Sequence, residues 1–270
     1  MLKRVLTSVI LLPVFIALIL PGGIFLRFAV IVLSLIGMNE VYKAVSKKNM
    51  GVHVIGYVFC IIYNLCIEDV FERTLFVITS LFILSLLIYL VINHKKVNII
   101  DCAVTIFGFY YVPFLFSNIY LVRGFSQAQG LHFVWLIFIC AWACDTGAYF
   151  VGSNFGKRKL MESLSPNKTV EGSVGGVIFA SLASFVYGII LWKFFGLEYK
   201  LIWFVTLIGA LGSVLSQLGD LTASAIKRYT GIKDFGSVLP GHGGIIDRFD
   251  SVLFTAPAVY LAIRLLFYYV

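Results

Sequence analysis

Nine mostly apolar stretches, broken by short polar segments, run the length of the chain: Val5–Leu20, Ile24–Val41, Val52–Ile67, Thr74–Ile92, Ile99–Leu121, Leu131–Phe150, Ser173–Phe194, Leu201–Asp220 and Ile246–Tyr269. A helix needs about 20 apolar residues to cross the hydrocarbon core of a bilayer, so each stretch predicts a spanning helix. The third is short and fits a tilted, re-entrant or partly spanning segment. The pattern predicts an all-α, polytopic integral membrane protein of about nine transmembrane helices. We expect residues 1–270 to form a single transmembrane domain, with generic membrane helices over 1–130 and the chemistry carried by 131–270. Residues 1–23 imitate a secretory signal, but without a convincing small-residue cleavage site they read as an uncleaved first helix.

Composition agrees with this pattern. Of 270 residues, 60% are hydrophobic and only 13% charged, against roughly 45–50% apolar in an ordinary soluble domain. The charge is distributed asymmetrically. If the N-terminus is cytoplasmic, the loops on that side carry Lys3, Arg4, Lys43, Lys47, Lys48, Lys95, Lys96, Lys157, Arg158, Lys159, Lys168, Lys227, Arg228, Lys233 and Arg248. That is 15 of the 21 Lys and Arg residues, the bias that retained cytoplasmic loops show. The expected orientation is therefore N-terminus inside and C-terminus outside. The net charge of +8 follows from this bias, and basic loops also attract anionic lipid headgroups. Because the cations are dispersed and form no single face, nucleic-acid binding is not expected.

The five cysteines, at 60, 66, 102, 140 and 144, all fall in apolar stretches and form no disulfide framework. Cys140 and Cys144 share a helical face beside Asp145, but no His accompanies them, so they read as packing residues.

Three polar regions stand out, and the expected topology places all three at the cytoplasmic face. The first runs from Asp145-Thr146-Gly147-Ala148-Tyr149 to Lys168-Thr169-Val170-Glu171-Gly172. A carboxylate at the edge of an apolar layer costs a few kcal/mol unless partnered, so Asp145 should have a partner. Lys168 reads as a phosphate contact or as a topology-setting lysine. Gly152–Arg158 is a poor match to a phosphate-binding P-loop: it is one residue short between glycines and has Arg where Ser or Thr should stand.

The second region is a stripe of Ser213, Ser216, Asp220, Ser224 and Lys227, whose spacing of three or four residues puts them on one helical face. The third, from Lys233 through His242-Gly243-Gly244 to Asp247-Arg248-Phe249-Asp250, mixes both charge signs with glycine. Asp247 and Asp250, as i and i+3 helix neighbours, repel unless a cation intervenes. Glycines leave backbone amides open to phosphate oxygens. Carboxylates suit a hard cation, while Lys and Arg suit phosphate. The combination points to metal-assisted chemistry on a phosphorylated substrate.

Ser224-x-x-Lys227-Arg228, Lys233-Asp234 and His242-Gly243-Gly244-x-x-Asp247-Arg248-x-Asp250 together resemble the signature of the phosphatidate cytidylyltransferase family, also called CDP-diacylglycerol synthases. Asp145–Tyr149, Lys168–Gly172 and Gly219-Asp220 are also similar to that family's pattern. The resemblance implies transfer of the cytidylyl group of CTP to phosphatidate, giving CDP-diacylglycerol and pyrophosphate. It further implies a divalent cation such as Mg2+, contact with membrane lipids and a possible homodimer. The expected setting is a bacterial inner membrane with the site facing the cytoplasm. On this reading Asp220, Asp247, Lys227 and His242 are catalytic; Lys168, Arg228, Lys233, Gly243, Gly244 and Arg248 bind substrate; and Asp220, Asp247, Asp250 and Asp145 are metal candidates. The role of His242 stays open between base, phosphate donor and ligand. A CTP-dependent lipid kinase would use similar parts but release CDP. A transporter would use Asp145 and Asp220 as an intramembrane relay, though no internal repeat is evident.

Overall fold

The structure, a computed structural model, describes residues 13–46, 50–67, 71–126, 129–239, 241 and 243–268. Helix dominates, and among the described residues seven helices are long and apolar enough to cross a membrane. In chain order the helices are α1 (Gly23–Val45), α2 (Met50–Cys66), α3 (Phe71–Ile92), α4 (Ile99–Tyr111), α5 (Pro113–Gly124) and α6 (Gln129–Phe155). A two-stranded hairpin follows, β1 (Lys159–Met161) and β2 (Ser165–Thr169), and then α7 (Val170–Phe195), α8 (Leu201–Thr230) and α9 (Ile246–Tyr268). The chain is an all-α integral membrane protein with one small antiparallel hairpin. Of the first expected span, residues 13–19 are helical and 1–12 lie outside the described residues.

The remaining expected spans correspond to helices, with two differences. The fifth is divided, because Pro113 supplies no N–H to the helical ladder and its ring crowds the preceding turn. Val112 leaves helical ψ only slightly, donating its N–H to Gly108 O at 3.1 Å, and α5 begins with proline at its first position. The two pieces still form one apolar run over Ile99–Gly124. The second difference is the length of α6 and α8, which extend past the expected Phe150 and Asp220 and carry the polar residues on regular helix. The third expected span is indeed short, 17 residues in α2.

Two compact units make up the chain. The first comprises residues 1–121 and takes back 230–248; the second comprises 122–229 and 249–270. The first unit has an aromatic core in which Phe82, Phe109 and Tyr63 are almost wholly buried, with Phe82 and Phe109 centroids 4.7 Å apart. Polar groups at the start of α4 pair locally. Asn98 and Asp101 form a reciprocal capping box at the start of α4, and Ser46 donates to Asp101 Oδ1 at 3.0 Å.

In the second unit α6 and α7 lie against each other through small residues. A Cβ at Gly176 would stand 2.9 Å from both the carbonyl oxygen and the Sγ of Cys144, and one at Gly175 would meet Val151. In a membrane, where apolar burial does not drive helices together, such close backbone approach is what dispersion and weak hydrogen bonds require. Cys140 and Cys144 are fully buried and direct Sγ toward the Ile208 and Ser213 carbonyls of α8 at 3.7 and 3.5 Å, the packing role expected for them. Gly176→Leu should cost about 1–3 kcal/mol by overpacking, read as a lower thermal unfolding midpoint in detergent.

Candidate active site

The second unit gathers Asp145, Lys168, Asp220, Lys227 and Asp250. Asp145 sits on α6 immediately after buried Cys144. Lys168 lies in β2, one residue before Thr169, whose side-chain oxygen caps α7 by accepting from Gly172 N at 3.1 Å. Asp220 lies two thirds along α8 and Asp250 near the start of α9. Gly219 explains how the last two meet: any side chain there would strike the Asp250 carbonyl and the Phe254 ring, so its absence lets α8 approach α9 closely. The charge of Asp220 acts on Asp145, and those of both act on Asp250. Like charges that act on one another are offset by nearby cations. Lys168 Nζ forms a salt bridge with Asp220 Oδ2, the two side chains being 26% and 29% exposed, and Lys227 acts on Asp250.

The hairpin that presents Lys168 is held from three sides. Glu171 Oε2 accepts from Lys157 N at 3.0 Å and Arg158 N at 3.1 Å. Lys159 Nζ donates to Pro166 O at 2.5 Å, and Arg228 Nε donates to Leu164 O at 3.2 Å. Arg228, expected as a phosphate contact, thus also ties α8 to the hairpin. Gly152–Phe155 belong to the helical end of α6, so the glycines there shape a helix terminus and form no phosphate loop.

On α8 the expected stripe divides by depth. Ser213 and Ser216 are fully buried, Ser213 donating back to Ala210 O at 2.7 Å, while Asp220, Ser224 and Lys227 are half-buried. The serines pack, and the ionisable residues are the ones left accessible. Gln217, one turn before Asp220, was not singled out by the sequence reading. Its Oε1 accepts from Ser173 Oγ at 2.5 Å, and its Nε2 reaches Ser173 O at 3.2 Å and Cys144 Sγ at 3.4 Å. One amide therefore joins α6, α7 and α8 just below the carboxylates. Gln217→Leu should lower turnover about 10- to 100-fold through misplacement of the site while costing only about 1 kcal/mol of stability, separable by activity and unfolding measurements on the same preparation.

The first unit holds the glycine-rich loop that leads into α9. Asp247 Oδ2 accepts from Phe235 N at 2.8 Å and Gly244 N at 3.0 Å, so this expected metal candidate holds the two ends of its own loop. Gly243 adopts φ +86°, a backbone region that favours glycine, and its carbonyl accepts from Leu239 N at 3.0 Å. Gly244 is buried, whereas Lys233 and Arg248 are exposed. His242 lies outside the described residues. Glu40 of α1, only 3% exposed, accepts from Ile245 N at 2.9 Å through Oε1 and from Ile246 N at 3.0 Å through Oε2.

These features define a class: an integral membrane protein that gathers carboxylates and cations from several helices and a hairpin, a set suited to phosphate chemistry. The comparisons make this specific. The chain matches the Cytidylyltransferase family over residues 2–266 and belongs to it. It is 35% identical over 258 residues to a phosphatidate cytidylyltransferase of Staphylococcus haemolyticus, covering 94% of this chain and 95% of that protein. Proteins of the same description from Staphylococcus epidermidis and Staphylococcus aureus are 34% and 35% identical over 257 and 261 residues.

Proposed function

We infer that the protein transfers the cytidylyl group of CTP to phosphatidate, releasing pyrophosphate and leaving CDP-diacylglycerol in the membrane. The observation that carries this reading is the Asp145–Asp220–Asp250 cluster with Lys168 and Lys227 beside it, in a chain of the Cytidylyltransferase family. Phosphatidate presents a phosphate monoester at the bilayer surface. One of its oxygens forms a bond to the α-phosphorus of CTP as the bond from that phosphorus to the β-phosphate oxygen breaks, and both electrons leave with pyrophosphate. The nucleophile is already an anion near neutral pH, so the residues chiefly orient and neutralise.

Lys168 and Lys227 are proposed to hold phosphate oxygens, as are Lys233 and Arg248 from the loop that Asp247 fixes, with the amides of Gly243 and Gly244 as further donors. The acidic cluster has the donor chemistry for Mg2+. Among the described residues, however, no three His, Cys, Asp or Glu side chains are drawn together as a ready-made cage. Mg2+ commonly uses one or two carboxylates plus substrate phosphates and waters, so the residues fit an ion that enters with the nucleotide. When bound, such an ion neutralises developing charge on the phosphates. Asp220, paired with Lys168 beforehand, is the proposed principal ligand, with Asp250 and Asp145 in support.

The concentration of Lys and Arg on one set of loops supports a cytoplasmic site with the N-terminus inside, and the bacterial relatives support a bacterial cell membrane as the setting; surrounding lipids as partners and a homodimer as the assembly are part of the proposal. The test uses purified protein, phosphatidate vesicles and Mg2+ with CTP labelled at either the α- or γ-phosphate. The reading requires α-label in lipid and γ-label in pyrophosphate; γ-label in lipid with release of CDP would make the protein a lipid kinase.

A further inference from the structure

We propose that Glu40, far from the signature motifs in sequence, is a positioning residue for cytidylyl transfer; the proposal rests on the reaction read above. Helix α9 begins at Ile246 after Gly243-Gly244-Ile245, so no Ser, Thr, Asp or Asn stands at its N-terminal cap. The first amides of a helix need acceptors, and a negative charge at that end is favourable. Glu40 supplies both from another helix. Its two oxygens accept separately from Ile245 N and Ile246 N at 2.9 and 3.0 Å. The carboxylate is enclosed by glycines, since a Cβ at Gly236 would stand 2.6 Å from Oε1 and one at Gly244 would stand 2.5 Å from it. The charged groups that act on Glu40 are Asp247 and Lys43.

Two carboxylates thus clamp the segment between Gly231 and Arg248. Asp247 joins Phe235 to Gly244, and Glu40 fixes the next two amides while filling the space that Gly236 and Gly244 leave. Between these points in the sequence lies His242, with Lys233 two residues before Phe235 and Arg248 two residues after Ile246. A buried ion held by two backbone donors costs several kcal/mol to desolvate, more than capping one helix returns. A neutral cap would serve stability alone. Two carboxyl oxygens spent on two successive loop amides, together with glycines shaped to those oxygens, assign Glu40 to setting the register of the loop and the first turn of α9.

The test compares the intact protein with Glu40→Gln, Gly236→Ala and the double variant. Gln keeps the size of the side chain but offers one acceptor where two donors point, and Ala at 236 displaces the carboxylate from the loop side without altering α1. Each single variant should lower kcat by about tenfold or more with KM for CTP changed less than about threefold. The double variant should be no worse than the poorer single one, because both break the same clamp. Amide hydrogen exchange over residues 231–246, which needs no activity, should accelerate in both.

Turnover within about twofold of the parent in either folded variant, multiplying losses in the double variant, or unchanged exchange would overturn the proposal. If Glu40→Gln does not fold, Gly236→Ala alone decides. A parent protein that makes no CDP-diacylglycerol refutes the reaction and leaves the clamp to be judged by exchange.

Discussion

Asp220→Asn should reduce formation of CDP-diacylglycerol by about 10²–10³-fold, the loss that follows removal of one preorganised electrostatic group from a transition state. The substitution replaces a carboxylate by an amide of the same size. It takes from Lys168 its partner and from the acidic cluster the member that interacts with both Asp145 and Asp250. Stability should hardly change. The Lys168–Asp220 pair is more than a quarter exposed, and ion pairs in such settings are worth no more than about 1 kcal/mol, whereas a 10³-fold loss of rate corresponds to about 4 kcal/mol of transition-state stabilisation. Activity and the thermal midpoint, measured on one preparation, should therefore separate. A variant that unfolds and one that folds but does not turn over are distinct results, and the second is expected.

Lys168→Ala should lower turnover by about 10²-fold while moving the Mg2+ requirement in the opposite direction to a simple defect. Lys168 pairs with the carboxylate proposed to receive the cation. In the proposed role its ammonium competes with the ion before substrate enters and contacts phosphate afterwards. Removing it leaves three interacting carboxylates with one fewer neutralising charge, so half-maximal activity should come at lower Mg2+ even as the maximum falls. A Mg2+ dependence identical to the parent, at any level of residual activity, would mean that Lys168 and the cation do not share Asp220.

The sequence made the membrane-spanning elements legible because hydrocarbon thickness leaves few solutions for an apolar run. It located the break before Pro113 less well, since the apolar residues continue through it and only the missing N–H divides α4 from α5. The hairpin between α6 and α7 was read as loop. Its strands are three and five residues long and bury no residue fully, so no apolar alternation marks them, and Glu171, Arg228 and Lys159 stabilise them through backbone groups that composition does not reveal.

The ionisable residues of the site stood out in an apolar chain, and the charge of Lys168 acts on Asp145. Their division of labour did not stand out. Asp247 spends an oxygen on the loop, Arg228 on the hairpin, and Ser213 and Ser216 are packing residues. Gln217 looked like an ordinary helix residue until its amide was seen to join three helices. Glu40 gave two faint signals, a lone carboxylate in the apolar α1 and an uncapped start to α9, but only the folded chain connects positions 40 and 245.

Asp220 and its acidic neighbours are proposed to receive a divalent cation carried by the nucleotide. Electron paramagnetic resonance of Mn2+ added to the purified protein tests it directly, with and without CTP, in the parent and in Asp220→Asn. The account predicts weak binding of Mn2+ alone, a tightly held ion when CTP is present, and loss of that ion in the variant. Equal, CTP-dependent Mn2+ binding by parent and variant would contradict it.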